Sequence, residues 1–359
     1  MEQNLKYAVG IDISKDSFHA CISVINMIQK VTIKASHSFF NTPTGFNELL
    51  IWVKKYHKES ALPLVYLIEA TGVYYEQLAW FLYHQDAYVS VILPNKAKKY
   101  LEGLGQKSKT DKKDSIGLAR MAAEQNHTAW KPFSAKIQQL RALTRHSQAL
   151  NEQKTVANNQ VHAIEHSQYQ SKMVLKQLNS FIKLIDKQLD EIHKAIIETI
   201  QQDEQLNNKV NNILHIKGLG ILTIATIIAE TDGFALFENQ RQLTSFAGYD
   251  VIENESGKHI GKTKISKKGN HRIRRALFMP AFNIVKYQQT PFLTLFERVF
   301  ERTKLKMKAY VAVQRKLLVL IFSLWKNNQK YDQNYQYKQV APTSGATQNE
   351  VLNEVLLLM

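Results

Sequence analysis

The sequence predicts a mixed α/β domain followed by two long helices and a mainly helical C-terminal region, and three observations carry this. Short apolar runs of strand length recur between Lys6 and Pro94. The stretch from Ala135 to Asn212 is free of Gly and Pro and has a heptad rhythm. Beyond it, apolar segments of helical length flank a strongly basic, Gly-bearing loop.

The strand-like runs are YAVGIDI, FHACISVI, KVTIK, LVYLIEA and YVSVIL, and the helix-like stretches TGFNELLIWVKKYHK and VYYEQLAWFLYHQ separate the later ones. Three neighbouring strands followed by alternating helices and strands predict an open mixed sheet, not a barrel. TDKKDSIGLARMAAEQ is then helical, with Thr110 as its N-cap. Leu175, Leu178, Ile182, Ile185, Leu189, Ile192 and Ile196 alternate three and four apart, which is the a/d seam of a coiled coil. Leu140, Leu143, Leu150, Val161 and Ile164 carry the same spacing upstream, interrupted by Ser147, Lys154 and Ala157. Two long helices result, packed either on each other or on a second subunit.

In HIKGLGILTIATIIAE, Gly218 and Gly220 precede an amphipathic helix. This is either the hairpin of a helix-hairpin-helix, whose backbone N–H groups approach a phosphate, or an ordinary turn between helices. The blocks RQLTSFAGYDV and ENESGKHIGKTKISKKGNHRIRRALFMPAFNIV come next, then a helix with Lys304, Lys306, Lys308, Arg315 and Lys316. The tail opens on YDQNYQYKQVAPTSGATQNE, too polar to bury a core, and closes on VLNEVLLLM, a candidate short docking helix. The organisation expected is residues 1–133, 134–211, 212–330 and a tail at 331–359.

The length, 359 residues, suits two or three domains with real cores. No apolar run approaches the roughly 18 residues that span a bilayer, and MEQNLKYAVGID has no signal-peptide pattern. A single cysteine, Cys21, excludes internal disulfides and zinc–cysteine clusters and fits a cytoplasmic protein. The net charge of +16 points to a polyanionic partner. The basic residues cluster in loops beside motifs, which favours nucleic acid over a membrane surface.

Asp12 and Glu69 each end an apolar strand, where a rigid backbone aims a carboxylate. Asp111 and Asp114 are three apart on a helix, hence on one face. Four such carboxylates are the donor set that hard Mg²⁺ prefers, and a pair of such ions stabilises attacking and leaving oxygens of a phosphodiester. Each acid alone reads equally as a turn, cap or charge-balancing residue. Ser256 lies in a Ser-Gly loop beside Lys258 and His259. Serine is a poor nucleophile without a base or metal, so spacing alone leaves it a loop residue.

The motifs together resemble the DEDD-type insertion-sequence transposases, the family that includes Piv-like DNA invertases and bridge-RNA-guided recombinases. GIDISKDSF, IEATGVYYEQLAWFL and KSKTDKKDSIGLAR carry the N-terminal half of the resemblance. IKGLGILTIATIIAE, FENQRQLTSFAGYDV and ESGKHIGKTKISKKGNHRIRRAL carry the C-terminal half, in the expected order, across most of residues 5–325. The resemblance implies a RuvC-like (ribonuclease H-like) N-terminal domain whose Asp12, Glu69, Asp111 and Asp114 bind Mg²⁺ or Mn²⁺. It implies a C-terminal domain with a helix-hairpin-helix-like element and Ser256 as nucleophile, forming a transient phosphoserine link to DNA. It also implies dimers paired into a tetramer, donor and target DNA as substrates, and an element-encoded guide RNA. Where relatives often carry two adjacent serines, this chain has Glu255-Ser256, so Ser256 is the one candidate in the motif.

Lys96, Lys98, Lys99, Lys107, Lys109, Lys112 and Lys113 flank the acidic helix and are expected to hold nucleic-acid backbone. Around the serine, Lys258, Lys262, Lys264, Lys267, Lys268, Asn270, Arg272, Arg274 and Arg275 have the same expected role, with Gly218 and Gly220. Two rival readings stand beside the recombinase. One is a RuvC-like nuclease or junction resolvase that uses metal-activated water. The other is a non-catalytic nucleic-acid-binding protein whose acids are structural.

Overall fold

The computed structural model describes residues 3–105, 110–252, 255–256, 259–261 and 264–332. The chain divides into two compact units between Pro132 and Phe133.

The first unit is built on a five-stranded sheet. Its strands are β1 (Asn4–Ile13), β2 (Ser17–Asn26), β3 (Val31–Phe40), β4 (Leu64–Glu69) and β5 (Tyr88–Ile92), in the order β3-β2-β1-β4-β5. The first three form an antiparallel meander, and β4 and β5 run parallel to β1. This is the mixed sheet that the alternation of the apolar runs predicts. Helices α1 (Pro43–Tyr56) and α2 (Glu76–His84) cover one face, where Val9, Ile11, Phe18, Ile22 and Ile68 meet Phe46, Leu49 and Leu82. Helices α3 (Pro94–Gly103) and α4 (Asp111–Glu124) belong to the other face, where Ala8, Ile25 and Leu67 meet Ala97, Leu118 and Met121. Sequence periodicity does not reveal α3, because Ala97 is its one buried residue and its lysines read as a charge run.

Packing on the α4 face depends on one glycine. A Cβ added at Gly10 would overlap Ala119 N and stand 2.6 Å from Ser115 O. The backbone of α4 therefore lies directly on β1, closer than any side chain would permit. Ser23 of β2 fixes the contact by donating its hydroxyl to the Ala119 carbonyl (3.0 Å). Cys21 is buried in the same sheet, and burial pushes its thiol up to about 12, which makes it a packing residue rather than a reactive one.

The second unit begins with a helical hairpin of α5 (Ala135–Glu165) and α6 (Lys172–Gln201). These two pack on each other within the chain. Ile185, Leu189, Ile192 and Ile196 of the α6 seam are buried, and Leu175, Leu178 and Ile182 are half-buried. The residues that interrupt the α5 heptad also face the seam. Ser147 and Ala157 are buried small residues, and Lys154 pairs with Asp186 across the hairpin.

The hairpin shares its core with the C-terminal helices. Leu140, Leu150, Ile185 and Ile196 pack in one cluster with Val210, Ile224, Ile228, Phe234, Ile284, Leu317 and Ile321. That core joins α7 (Glu204–Leu214), α8 (Ile221–Thr231), α11 (Phe278–Lys286) and α13 (Lys306–Asn327). The remaining helices are α9 (Gln240–Ala247), α10 (His271–Ala276) and α12 (Thr290–Thr303). Lys304 is not in a helix as expected; it takes a left-handed conformation between α12 and α13. Among the described residues no helix is long and apolar enough to cross a membrane. The expected polar tail and docking helix lie outside the described residues, apart from Tyr331 and Asp332.

Gly10→Ala is expected to destabilise the protein by at least about 2–3 kcal/mol, since the clash is with backbone that cannot repack. Gly103→Ala is the control: nothing lies within 4 Å of its added Cβ, so the change is expected to be neutral or stabilising by up to about 1 kcal/mol. Denaturant titration of the full chain, followed by tryptophan fluorescence, measures both; equal effects would contradict backbone-on-backbone packing at Gly10.

Candidate functional site

The four candidate acids lie on the α4 side of the first unit's sheet. The β1–β4 ladder runs in parallel register to Ile11 opposite Ile68, so Asp12 and Glu69 come next as neighbours on adjacent strands. Side chains alternate along a strand. Ile11 and Ile68 face the α1–α2 side, while Ala8 and Leu67 face the α4 side. Asp12 and Glu69 therefore point to the α4 side.

The helix brings the other two to that side. Asp114, only 6% exposed, lies on the buried stripe of α4 with Leu118 and Met121. Asp111 is one turn earlier at the helix N-terminus and is 72% exposed at its side chain. Thr110 caps the helix as expected, accepting the Lys113 N–H (3.3 Å). Both aspartates thus stand in the first turn, where the positive end of the helix dipole favours them.

Two residues that the motifs did not single out border this face. His19 is the register partner of Asp12 on β2, and its Nδ1 is 3.9 Å from Asp111 Oδ2. The short SKDS connection, closed by Ser14 N–H to Ser17 O (2.9 Å), is the sequence signal that would have placed it there. Asn41, just after β3, donates its side-chain amide to Ser14 O (3.0 Å) and Tyr74 O (3.2 Å). It therefore ties the turn after Asp12 to the segment after Glu69. Nothing in FFNTP beyond a turn or cap announces that role.

The donor chemistry suits a hard divalent cation, being carboxylate oxygen throughout. Among the described residues, however, no group of three or more His, Cys, Asp or Glu side chains is disposed to hold a metal ion. The four acids share a face and fit such an ion in kind, without being gathered about a point. Lys96, Lys98 and Lys99 of α3 and Lys112 and Lys113 of α4 are all exposed. Lys98 approaches Glu102 (3.8 Å), and Lys107 and Lys109 lie outside the described residues.

In the second unit Ser256 is exposed on a short strand, β7 (Glu255–Ser256), opposite His259 of β8 (His259–Ile260). The chain on either side pairs as β6 (Val251–Ile252) and β9 (Lys264–Ile265). Two glycines close the base of this segment. Gly248 takes a left-handed φ of 75° to end α9, and a Cβ on Gly269 would stand 2.7 Å from Gly248 N. Backbone bonds finish the closure: Ser266 N–H to Asp250 O (2.8 Å), Lys267 N–H to Gly248 O (3.1 Å) and Asn270 N–H to Phe246 O (2.7 Å).

The basic stretch from Lys258 to Arg275 divides into two classes. Lys264, Lys267 and Lys268 are exposed, while Lys258 and Lys262 lie outside the described residues. Asn270, Arg272, Arg274 and Arg275, expected to contact nucleic acid, have partners within the unit. Asn270 caps α10 through Oδ1, which accepts the Arg272 and Ile273 N–H groups (3.0 and 3.2 Å). Its Nδ2 donates to Glu230 Oε2 (2.8 Å). Arg272 donates to Gln148 Oε1 (2.8 Å), Arg274 donates to Ala247 O (2.7 Å) and Lys267 O (3.1 Å), and Arg275 pairs with Glu152.

Glu230, fully buried at the end of α8, is the centre of these contacts. It accepts a two-pronged bond from Arg145 of α5, Nε to Oε1 at 2.7 Å and Nη2 to Oε2 at 3.0 Å. Burial opposes the charge on Glu230, but the hydrogen bonds from Arg145 and Asn270 and the nearby Arg145 and Arg141 charges outweigh it and hold the carboxyl below its usual range. A lone acid inside the apolar run ILTIATIIAE is the sequence signal for it. Gly218 has a left-handed φ of 97°, and a Cβ there would stand 3.1 Å from Asn283 Cβ and Ile284 N, so it serves helix packing. Gly220 is open and begins α8.

Residues 9–164 match a DEDD-type transposase family model of the IS110 group, and residues 210–296 match the model of the transposase IS116/IS110/IS902 family. The chain is 30% identical over 330 residues to the pilin gene-inverting protein of Moraxella bovis, a match that covers 91% of this chain and 98% of that protein. The pilin gene-inverting protein of Moraxella lacunata matches to the same extent. Among solved structures, Thermus thermophilus RuvC in complex with a Holliday junction covers 33% of this chain and 93% of its own (11% identity, TM-score 0.26). The yeast mitochondrial Holliday junction resolvase Ydc2 covers 34% and 80% (13% identity, TM-score 0.24).

The depressed Glu230 carboxyl contributes to the pH dependence of stability. A group whose folded-state pKa lies below the ordinary 4.5 stabilises the fold above that value and loses the contribution as pH falls through the folded pKa. Glu230→Gln should therefore be less stable than the native chain near neutrality. The gap should shrink as pH drops from about 6 to about 3, read as the difference in thermal midpoint. A gap independent of pH would contradict a charged Glu230.

Proposed function

Because the chain belongs to the IS116/IS110/IS902 transposase family, we propose that it cleaves, exchanges and rejoins DNA strands with Ser256 as nucleophile and Asp12, Glu69, Asp111 and Asp114 as metal-binding acids. The observation that carries this reading is the common face of the four acids, two at adjacent strand ends and two in the first turn of the helix on that side. A bound Mg²⁺ or Mn²⁺ would supply charge neutralisation at the scissile phosphate and a lowered pKa for a hydroxyl near it.

The residues of the chain supply the rest. Ser256 Oγ forms a bond to phosphorus as the bond to one DNA oxygen breaks. The serine loses its hydroxyl proton, and the departing strand gains one as a free hydroxyl. A hydroxyl of another strand then reverses the step and restores the serine. One phosphodiester is consumed and one formed, so no ATP is required. The exposure of Ser256 on a short strand suits a nucleophile that must reach a DNA backbone. Lys264, Lys267 and Lys268 beside it, and Lys96, Lys98, Lys99, Lys112 and Lys113 beside the acids, hold backbone phosphates by charge. Lys258, Lys262, Lys107 and Lys109 complete the same two sets.

The reading extends to partners. Donor and target DNA are the substrates, a guide RNA from the element selects them, and dimers paired into a tetramer hold both sites, in the cytoplasm on nucleoid DNA. The inverting relatives make inversion of a DNA segment an outcome of the same chemistry as insertion.

The test is covalent trapping. The protein is expressed with its element's flanking DNA, lysed directly into SDS and digested, and its peptides are weighed by mass spectrometry. A nucleotide-bearing Ser256 peptide that is lost in Ser256→Ala and in Asp12→Asn is the expected result. Cleaved DNA without adduct, persisting in Ser256→Ala, would instead establish a water-using nuclease. Mg²⁺-independent binding without any cleavage would leave a non-catalytic binding protein.

A further inference from the structure

The basic run downstream of Ser256 is tied into the fold of its own unit. Helix α10 is fastened on both sides. Arg272 and Arg275 reach Gln148 and Glu152 of α5. Arg274 reaches Ala247 and Lys267, at the two ends of the segment that carries the serine. Gln148 also donates to Glu152 (3.0 Å), joining the two α5 contacts. At the head of α10, Asn270 bonds the backbone of Phe246 on one side and the buried Glu230 on the other. Glu230 in turn is held by Arg145 of α5 and has Arg272 Nε 3.9 Å from Oε1.

One carboxylate therefore meets all three parties: α5 through Arg145, α10 through Arg272, and the base of the serine segment through Asn270. A buried charge with this many directed partners has one low-energy arrangement. Displacing any partner leaves another buried and unsatisfied. We infer that Glu230 is a positioning residue, which fixes the base of the Ser256 segment against α5 and so aims the nucleophile. The inference rests on the reading of Ser256 as nucleophile. It also reassigns Asn270, Arg272, Arg274 and Arg275 from DNA contact to this clamp, leaving the exposed lysines for DNA.

The experiment uses the full chain with Glu230→Gln, which keeps shape and removes charge, and two readouts. The first is hydrogen exchange at the amides of Ser266, Lys267 and Asn270, compared with amides in α12 and α13. Exchange at the base is expected to rise about tenfold or more beyond the rise that the lowered global stability gives α12 and α13. The second is the rate of Ser256–DNA adduct formation at saturating DNA, expected to fall about tenfold or more while the DNA dissociation constant stays within about threefold.

A uniform rise in exchange across the unit would reduce Glu230 to general stability and overturn the inference. So would an unchanged base, or an unchanged adduct rate over a loosened base. If the native chain forms no adduct, the nucleophile assignment has failed. The exchange pattern then decides the clamp by itself. Arg145→Lys, which keeps the charge and loses the two-pronged bond, receives the same measurements if Glu230→Gln does not fold.

Discussion

The contact between α4 and β1 at Gly10 is the constraint that determines the acidic face. A helix normally rides on a sheet at the distance its side chains set. Here the strand presents bare backbone, and Ser115 and Ala119 descend onto it. Asp12 is two residues along the strand from Gly10 on the same side, and Asp114 sits one residue before Ser115. The separation of those carboxylates is therefore set by backbone meeting backbone, the least compressible contact a protein has. Glu69 joins them through the parallel ladder, and Asp111 through the capped first turn. His19 and Asn41 extend the framework to the turns on either side.

The second unit solves a different problem, holding a polar, lysine-rich segment against a helical core. Apolar packing alone does not do this, because residues 249–268 offer few large apolar side chains. Two glycines packed back to back close the base, and a buried carboxylate anchors it. The wholly buried Tyr249, whose hydroxyl donates to the buried Gln314 (3.0 Å), adds a third attachment. The cost is a charge in the core that is stable only while its partners stay in place.

Much of the fold is legible in the sequence, in proportion to how local the cause is. Alternation and apolar runs mark the five strands, and Thr110 announces the start of α4, since both signals act within a few residues. The α6 seam is legible for the same reason, but the α5 seam reads as interrupted. Ser147, Lys154 and Ala157 are suited to it only because His193, Asp186 and the close packing of α6 stand opposite. The acids are legible as a motif, while their common face requires the sheet order. The KKGNHRIRRAL run carries more than its charge density announces. Its charge density suggests phosphate contact, yet Asn270, Arg272 and Arg274 find their acceptors on α8, α5 and α9, more than twenty residues away in sequence. Nothing in the run itself distinguishes those side chains from the exposed lysines before them.

The proposed chemistry requires the acidic face of one unit and the serine of the other to act on the same phosphodiester. Mixing Ser256→Ala subunits with Asp12→Asn subunits is the measurement that bears on this at once. Each alone is predicted to be inactive. If an assembly completes each site from two copies, the mixture should recover strand cleavage, with at most about one site in four carrying both native elements when subunits mix freely. No cleavage at any mixing ratio, with both variants folded and binding DNA, would contradict a shared site built between copies. Activity in Ser256→Ala alone would contradict the shared chemistry outright.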